Sequence, residues 1–155
     1  MYNQKRMENH KTYGLTNKQG DIINDLPIVN DVSGVYLYTM NSKLDNEFIA
    51  IMDVLIGLSD SLLSKWLNIT PRTLRNYKNK KNLTLKGNLK EHIVLILSLY
   101  KHGTDVFGNA LDFEQWLSSK NPLLDNMAPS AFLNTSSGIQ LIDNRLSAIE
   151  FGENV

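Results

Sequence analysis

The chain has no cysteine among its 155 residues. That excludes disulfides, thiolate nucleophiles and cysteine-ligated zinc or iron–sulfur centres. It has no run of eighteen apolar residues, so no segment predicts a bilayer span. The opening stretch MYNQKRMENHKTYG has no apolar centre and does not read as a secretory leader. Together these features lead us to expect a cytoplasmic protein. Histidine is scarce: His10, His92 and His102. The last two are ten residues apart, about 80° out of register on a helix, and neither has the i, i+4 partner of a helical zinc site. Both read as satisfied or solvated. There is no glycine-rich phosphate loop, serine-centred nucleophile elbow or metal-spaced carboxylate pair. Asp143 and Glu150 are seven apart and share a helix face, which reads as solvated surface rather than acid–base machinery. The expectation is a non-enzymatic protein without cofactor or metal.

Net charge is also lacking, at +0 overall, but that average conceals a division. Residues 61–90 carry eight bases (Lys65, Arg72, Arg75, Lys78, Lys80, Lys81, Lys86, Lys90) and no acid. Residues 1–60 carry five bases against eight acids, and residues 91–155 three against eight. A basic block between two acidic regions suits a local phosphate-binding surface. The 42% apolar content is enough for one ordinary core.

Hydrophobic spacing predicts an all-α chain in three parts. Residues 1–40 form a polar, partly disordered arm: the first twenty are expected to be poorly ordered, Ile22 to Val29 to be a docking cluster, and Val35 to Tyr38 a brief extended piece. Residues 41–103 form a helical domain. A helix over about Ser42 to Ile56 ends at Gly57, and two short helices follow. A strongly apolar helix then runs from about Leu89 to His102 and closes at Gly103; it is central to the fold or to a dimer interface. Residues 104–155 form a second small helical domain, with a helix over Asn109–Ser118, a short one over Pro129–Leu133, and a last one capped by Thr135 and running through Glu150.

The stretch LSDSLLSKWLNITPRTLRNYKNKK, Leu58 to Lys81, carries the most chemistry. Ser59 is placed to cap the first short helix, and Asn68 sits where the turn needs a residue tolerant of positive φ. Thr70 caps the second helix, which starts at Pro71. Leu74 and Tyr77 face inward, leaving Arg72, Arg75, Asn76 and Asn79 outside. This is the layout of a helix-turn-helix with an exposed recognition helix. Arginine forks onto guanine and asparagine onto adenine, so Arg72, Arg75 and Asn76 are the candidates for base edges. Thr70, Thr73, Lys78, Lys80 and Lys81 complete the candidate DNA-binding set. One such unit binds weakly, so a homodimer on operator DNA is expected.

Residues 45–152 resemble the antitoxins of the MbcA/ParS/Xre group, partners of RES-domain toxins. The resemblance rests on LSDSLLSKWLNITPRTLRNYK for an Xre-type helix-turn-helix. It rests also on the ordered set Phe107-Gly108, Trp116-Leu117, Asn121-Pro122, Pro129, Leu133, Thr135, Gly138 and Gly152 for a toxin-binding domain. It implies a helix-turn-helix bundle followed by a small helical domain that covers the active site of a toxin consuming NAD or transferring ADP-ribose. It implies toxin contact through Trp116, Pro129, Thr135, Gly138, Arg145, Phe151, Gly152 and Val155, with the acidic end and C-terminal carboxylate complementing a basic cleft. The chain departs from the family pattern in three places: Asp125-Asn126-Met127 replaces a glycine-rich basic loop, Asn68 the usual turn glycine, and Ser64 the usual alanine. Two other readings are open: a phage-repressor-type regulator with no toxin partner, and a protein-interaction module whose basic face is vestigial.

Overall fold

The computed structural model describes residues 14–153, and they are all-α. The helices are α1 (Asn17–Asp25), α2 (Val32–Asn41), α3 (Asp45–Ile56), α4 (Asp60–Leu67), α5 (Pro71–Asn79), α6 (Gly87–Phe107), α7 (Ala110–Ser118) and α8 (Ser136–Glu150). Two 3-10 turns, Pro122–Leu124 and Pro129–Phe132, lie between α7 and α8.

The core is built on α6. Its Ile93, Val94, Ile96, Leu97 and Leu99 are completely covered, because α1, α2, α3, α4, α7 and α8 all pack against it. Each such side chain contributes about 1.5–3 kcal/mol of burial free energy, which makes this helix the main source of stability. Helix α5 reaches the bundle through α3 and α4 and buries mainly Leu74.

Three sequence expectations are corrected here. Gly103 does not end α6; the helix continues to Phe107 and stops at Gly108, whose φ of 81 is left-handed. Gly103 instead makes room for a ring: a Cβ there would overlap Phe113 of α7. The boundary expected between 103 and 104 therefore falls inside one continuous helix shared by both halves. Val35 to Tyr38 is not extended but lies within α2, which Asp31 starts by accepting the Gly34 N–H at 2.9 Å. Val35 and Thr39, one turn apart, are buried while α2 packs on α6, so tertiary packing overrides the β-type residues.

The arm is also more regular than its composition predicts. Thr16 and Gln19 form a reciprocal capping box for α1, and Ile22, Ile23, Leu26 and Val29 are core residues. The order expected for the first thirteen residues lies outside the described residues.

Candidate functional site

The α4–α5 unit forms from its own caps. Ser59 Oγ accepts the Leu62 N–H at 3.3 Å, and Thr70 Oγ1 accepts the Thr73 N–H at 3.1 Å. The Thr70 and Thr73 hydroxyls also bond to each other at 2.9 Å, which fixes both at the start of α5. Asn68 adopts the left-handed conformation with φ 55, and its Nδ2 donates to the Asn134 carbonyl at 2.8 Å. A glycine would satisfy the turn but could not make that bond. Asparagine at this position ties the turn to the loop before α8.

Arg72, Arg75, Asn76, Lys80 and Lys81 are all exposed along or just after α5. The basic link after α5 is fixed rather than loose. Asn46 Nδ2 donates to the Lys80 carbonyl at 2.7 Å, and Asn46 Oδ1 and Asp45 Oδ2 accept the Leu83 and Leu85 N–H groups at 2.8 and 2.7 Å. Leu83 and Leu85 are buried, so Lys80 and Lys81 have a set backbone position beside the arginines.

Lys78, unlike Lys80 and Lys81, is held by ion pairs within the bundle. Its Nζ donates to Asp53 of α3 and Asp60 of α4, each at 2.6 Å. Burial opposes its charge, but the two carboxylates outweigh burial and hold its pKa above the ordinary lysine value. Lys78 therefore clasps α5 to the bundle. Lys90 is likewise internal, paired with Asp45 at 2.9 Å. The free cationic face is narrower than the count of eight bases implies.

The second region begins in the last turns of α6. Phe113 is fully buried, edge-on to Tyr100 at 5.2 Å, and Trp116 stacks on it at 6.3 Å and lies 5.6 Å from Phe107. Trp116 is thus half-buried and shapes the end of the bundle. The loop after α7 closes through the Asn121–Met127 pairing, with Asp125 and Asn126 both at positive φ (53 and 61). Asp and Asn tolerate that conformation, which lets them stand where the resemblance expects glycine.

Pro129 is buried, and so is Gly138, where a Cβ would overlap the Phe132 carbonyl oxygen. The backbone that approaches Gly138 is the chain's own, and burial of both residues in the bundle gives them a part in setting its geometry. Thr135 Oγ1 caps α8 through the Gly138 N–H at 3.0 Å. Arg145 is half-buried, Phe151 is 78% exposed, and Gly152 has φ 74. Val155 lies outside the described residues. The sequence reading missed exposed Leu111, Leu123, Met127 and Leu141 on this half. Leu111 starts a helix and Leu123 and Met127 lie in the loop, where no periodic signal exists, while Leu141 falls off the buried Ile139–Ile142–Leu146 side of α8.

Asp143 and Glu150 are not simply solvated. Asp143 is buried; its Oδ1 lies 2.7 Å from His102 Nδ1, and its Oδ2 accepts from Asn30 Nδ2 at 3.0 Å. Glu150 Oε2 is 3.1 Å from His102 Nε2. The cluster joins α6, α8 and the α1–α2 loop. The Asp143 hydrogen bond raises the His102 pKa against the cost of burial, with Glu150 adding to it. His92 is shifted the other way: burial lowers it, although its Nε2 lies 2.9 Å from the Leu133 carbonyl.

The two histidines act oppositely on stability. The His102 contribution is full below its ordinary value of 6.5 and fades as pH rises through its raised folded value. The His92 contribution is full above 6.5 and fades as pH falls toward its lowered folded value. A His102→Gln variant is expected to melt about 3 °C below the parent at pH 5.5, with the gap narrowing by pH 9. Thermal melts at both pH values check this, and a gap that does not change with pH contradicts it.

Residues 102–152 match the family model described as the antitoxin Xre/MbcA/ParS C-terminal toxin-binding domain. The match supports an antitoxin. It spans the end of α6, Phe107, Phe113 and Trp116 of the aromatic cluster, the Asn121–Met127 loop, both 3-10 turns and all of α8. A toxin-binding domain implies a toxin as partner. No curated protein and no solved structure matches the chain. Among the described residues no helix is long and apolar enough to cross a membrane, and no group of His, Cys, Asp or Glu is placed to hold a metal ion.

Proposed function

We propose that this chain is the antitoxin of a type II toxin–antitoxin pair. Its C-terminal half covers the active site of a RES-domain toxin that consumes NAD or transfers ADP-ribose. Its α4–α5 unit binds operator DNA as a helix-turn-helix and represses the shared promoter, with two copies acting together. The single observation that carries the toxin reading is the match over residues 102–152. It is supported by an end that offers exposed Leu111, Leu123, Met127 and Phe151 alongside acidic residues. Exposed apolar anchors with a complementary charge rim suit a protein partner whose own cleft is basic.

The DNA reading is supported by exposed Arg72, Arg75 and Asn76 on a helix whose caps and Lys78 clasp hold it rigidly. Preset side chains of these types are suited to base edges, with Lys80 and Lys81 on phosphates. That exposed face equally serves a phage-repressor-type regulator without a toxin, and one experiment separates the two. Tagged chain co-expressed with the product of the adjacent reading frame is expected to co-purify with it as a defined complex. Recovery of the chain alone would leave the regulator reading.

A further inference from the structure

The outer side of α2 is apolar and uncovered. Val32, Tyr36, Leu37 and Met40 are 69, 56, 57 and 64% exposed, and Ile28 just before the helix is 73% exposed. Positions 32, 36 and 40 form one row, with 37 beside it, while Val35 and Thr39 bury the opposite side against the bundle. Scattered exposed apolar residues need no explanation, but five on one short segment form a patch of the kind that marks an interface.

We propose that this face is an isologous interface between two copies of the chain, packed as an antiparallel pair of α2 helices. The proposal rests on the two-copy reading above and assigns it a surface. Three observations select a second copy as the occupant. First, the ten residues of α2 include no charge. Apart from Glu91 of α6 at the edge of its hollow, the face therefore offers little for a strongly charged partner to read, and α2 itself carries no charge to repel an identical helix. Second, the pattern is self-complementary. A twofold axis beside Tyr36 and Leu37 sets Val32 of each copy against Met40 of the other, and a shallow hollow lined by Val32, Ser33, Tyr36, Leu37 and Glu91 can receive the methionine. Third, the five residues expose about 600 Å² per copy, so pairing can bury at most ~1,200 Å², the lower edge of the range for specific interfaces. In sequence the patch lies outside the segment that matches a toxin-binding domain, and its Ile28 end borders α8 through Asn30, which donates to Asp143 and Asn144.

The test is the mass of the full chain in solution, by light scattering or sedimentation, across a concentration series. The parent is expected to be a dimer at micromolar concentration. Leu37→Glu sets two carboxylates together at the axis and is expected to weaken dimerisation at least about 100-fold. Leu37→Lys should do the same, and mixing the two variants should restore a dimer, because each glutamate then meets a lysine. Helical circular dichroism checks that both variants are folded, and Val32→Lys gives a second disruption at the edge of the face. A parent that stays monomeric at high concentration overturns both the two-copy reading and this surface. A dimer unaffected by Leu37→Glu and Val32→Lys overturns the surface alone. Loss of toxin binding in these variants without a change in mass would assign the face to the toxin and overturn the proposal.

Discussion

Replacing Arg72, Arg75 and Asn76 together by alanine is expected to reduce operator binding roughly 1,000-fold or more and leave toxin neutralisation intact. Each of the three side chains is exposed on α5 and makes no contribution to the buried core. A well-placed base contact is worth about 1–3 kcal/mol, so losing three removes most of the discrimination between operator and random DNA. Lys80→Ala with Lys81→Ala should act differently, weakening binding to all sequences and lowering the salt dependence by about two phosphate contacts. Lys78→Ala should act differently again. Its ammonium is held by Asp53 and Asp60, so its loss should loosen α5 and lower the melting temperature with little change in the salt slope. Mobility shifts with the upstream promoter over a salt series separate the three outcomes. Equal effects from Lys78 and Lys80 would show that the clasp does not matter on DNA.

Gly138→Ala is expected to destabilise the chain by about 3 kcal/mol or more and to remove toxin binding with it. A Cβ at this position overlaps the carbonyl oxygen of Phe132, which is backbone and has no rotamer to escape into. Either the Pro129–Phe132 turn moves or the start of α8 does. That displaces Leu133, whose carbonyl meets His92, and Asn134, whose carbonyl holds Asn68. The damage would thus reach the α4–α5 turn from the far half of the sequence. Gly87→Ala is the natural control: no atom lies near its Cβ position at the exposed start of α6, and the change should be neutral or slightly stabilising. Thermal melts of the two variants decide the matter, and a Gly138→Ala protein within about 1 kcal/mol of the parent would refute the close approach.

Local chemistry was the legible part of this sequence. Ser59, Thr70 and Thr135 cap the helices they were expected to cap, and Gly57 and Asn68 take the left-handed conformations their positions require. The inward Leu74 follows from spacing alone, and so does the all-α class. Features that depend on distant partners were hidden. Lys78 reads as one more base in an acid-free stretch, because Asp53 and Asp60 lie 25 and 18 residues away. Asp143 reads as surface because His102 and Asn30 are 41 and 113 residues away. Gly103 reads as a helix stop, since only the Phe113 ring against it explains a glycine in mid-helix. The α2 segment misled for a different reason. Its Val-Tyr-Leu-Tyr run has strand-like residues, and only packing on α6 shows that the helix buries one side and leaves the other bare.

The interlock between halves bears on how the molecule works. The Asn68–Asn134 bond, the Phe113–Gly103 contact and the His102–Asp143–Asn30 cluster all join the C-terminal region to the rest. A toxin seated on α7–α8 would therefore act on a rigid body that also carries α5. Operator binding and toxin binding would then be linked through position rather than through a flexible hinge.

The proposal at stake is that this chain neutralises a toxin through residues 102–152 and does so without Arg72, Arg75 and Asn76. Its most direct test is growth, with cellular NAD followed in parallel, after the product of the adjacent reading frame is induced. The cells carry the parent chain, the Arg72, Arg75 and Asn76 alanine variant, or a chain lacking residues 151–155. The parent and the alanine variant are both expected to restore growth and hold NAD at its uninduced level, while the shortened chain restores neither fully. Growth arrest and falling NAD that persist beside the folded parent chain would contradict it.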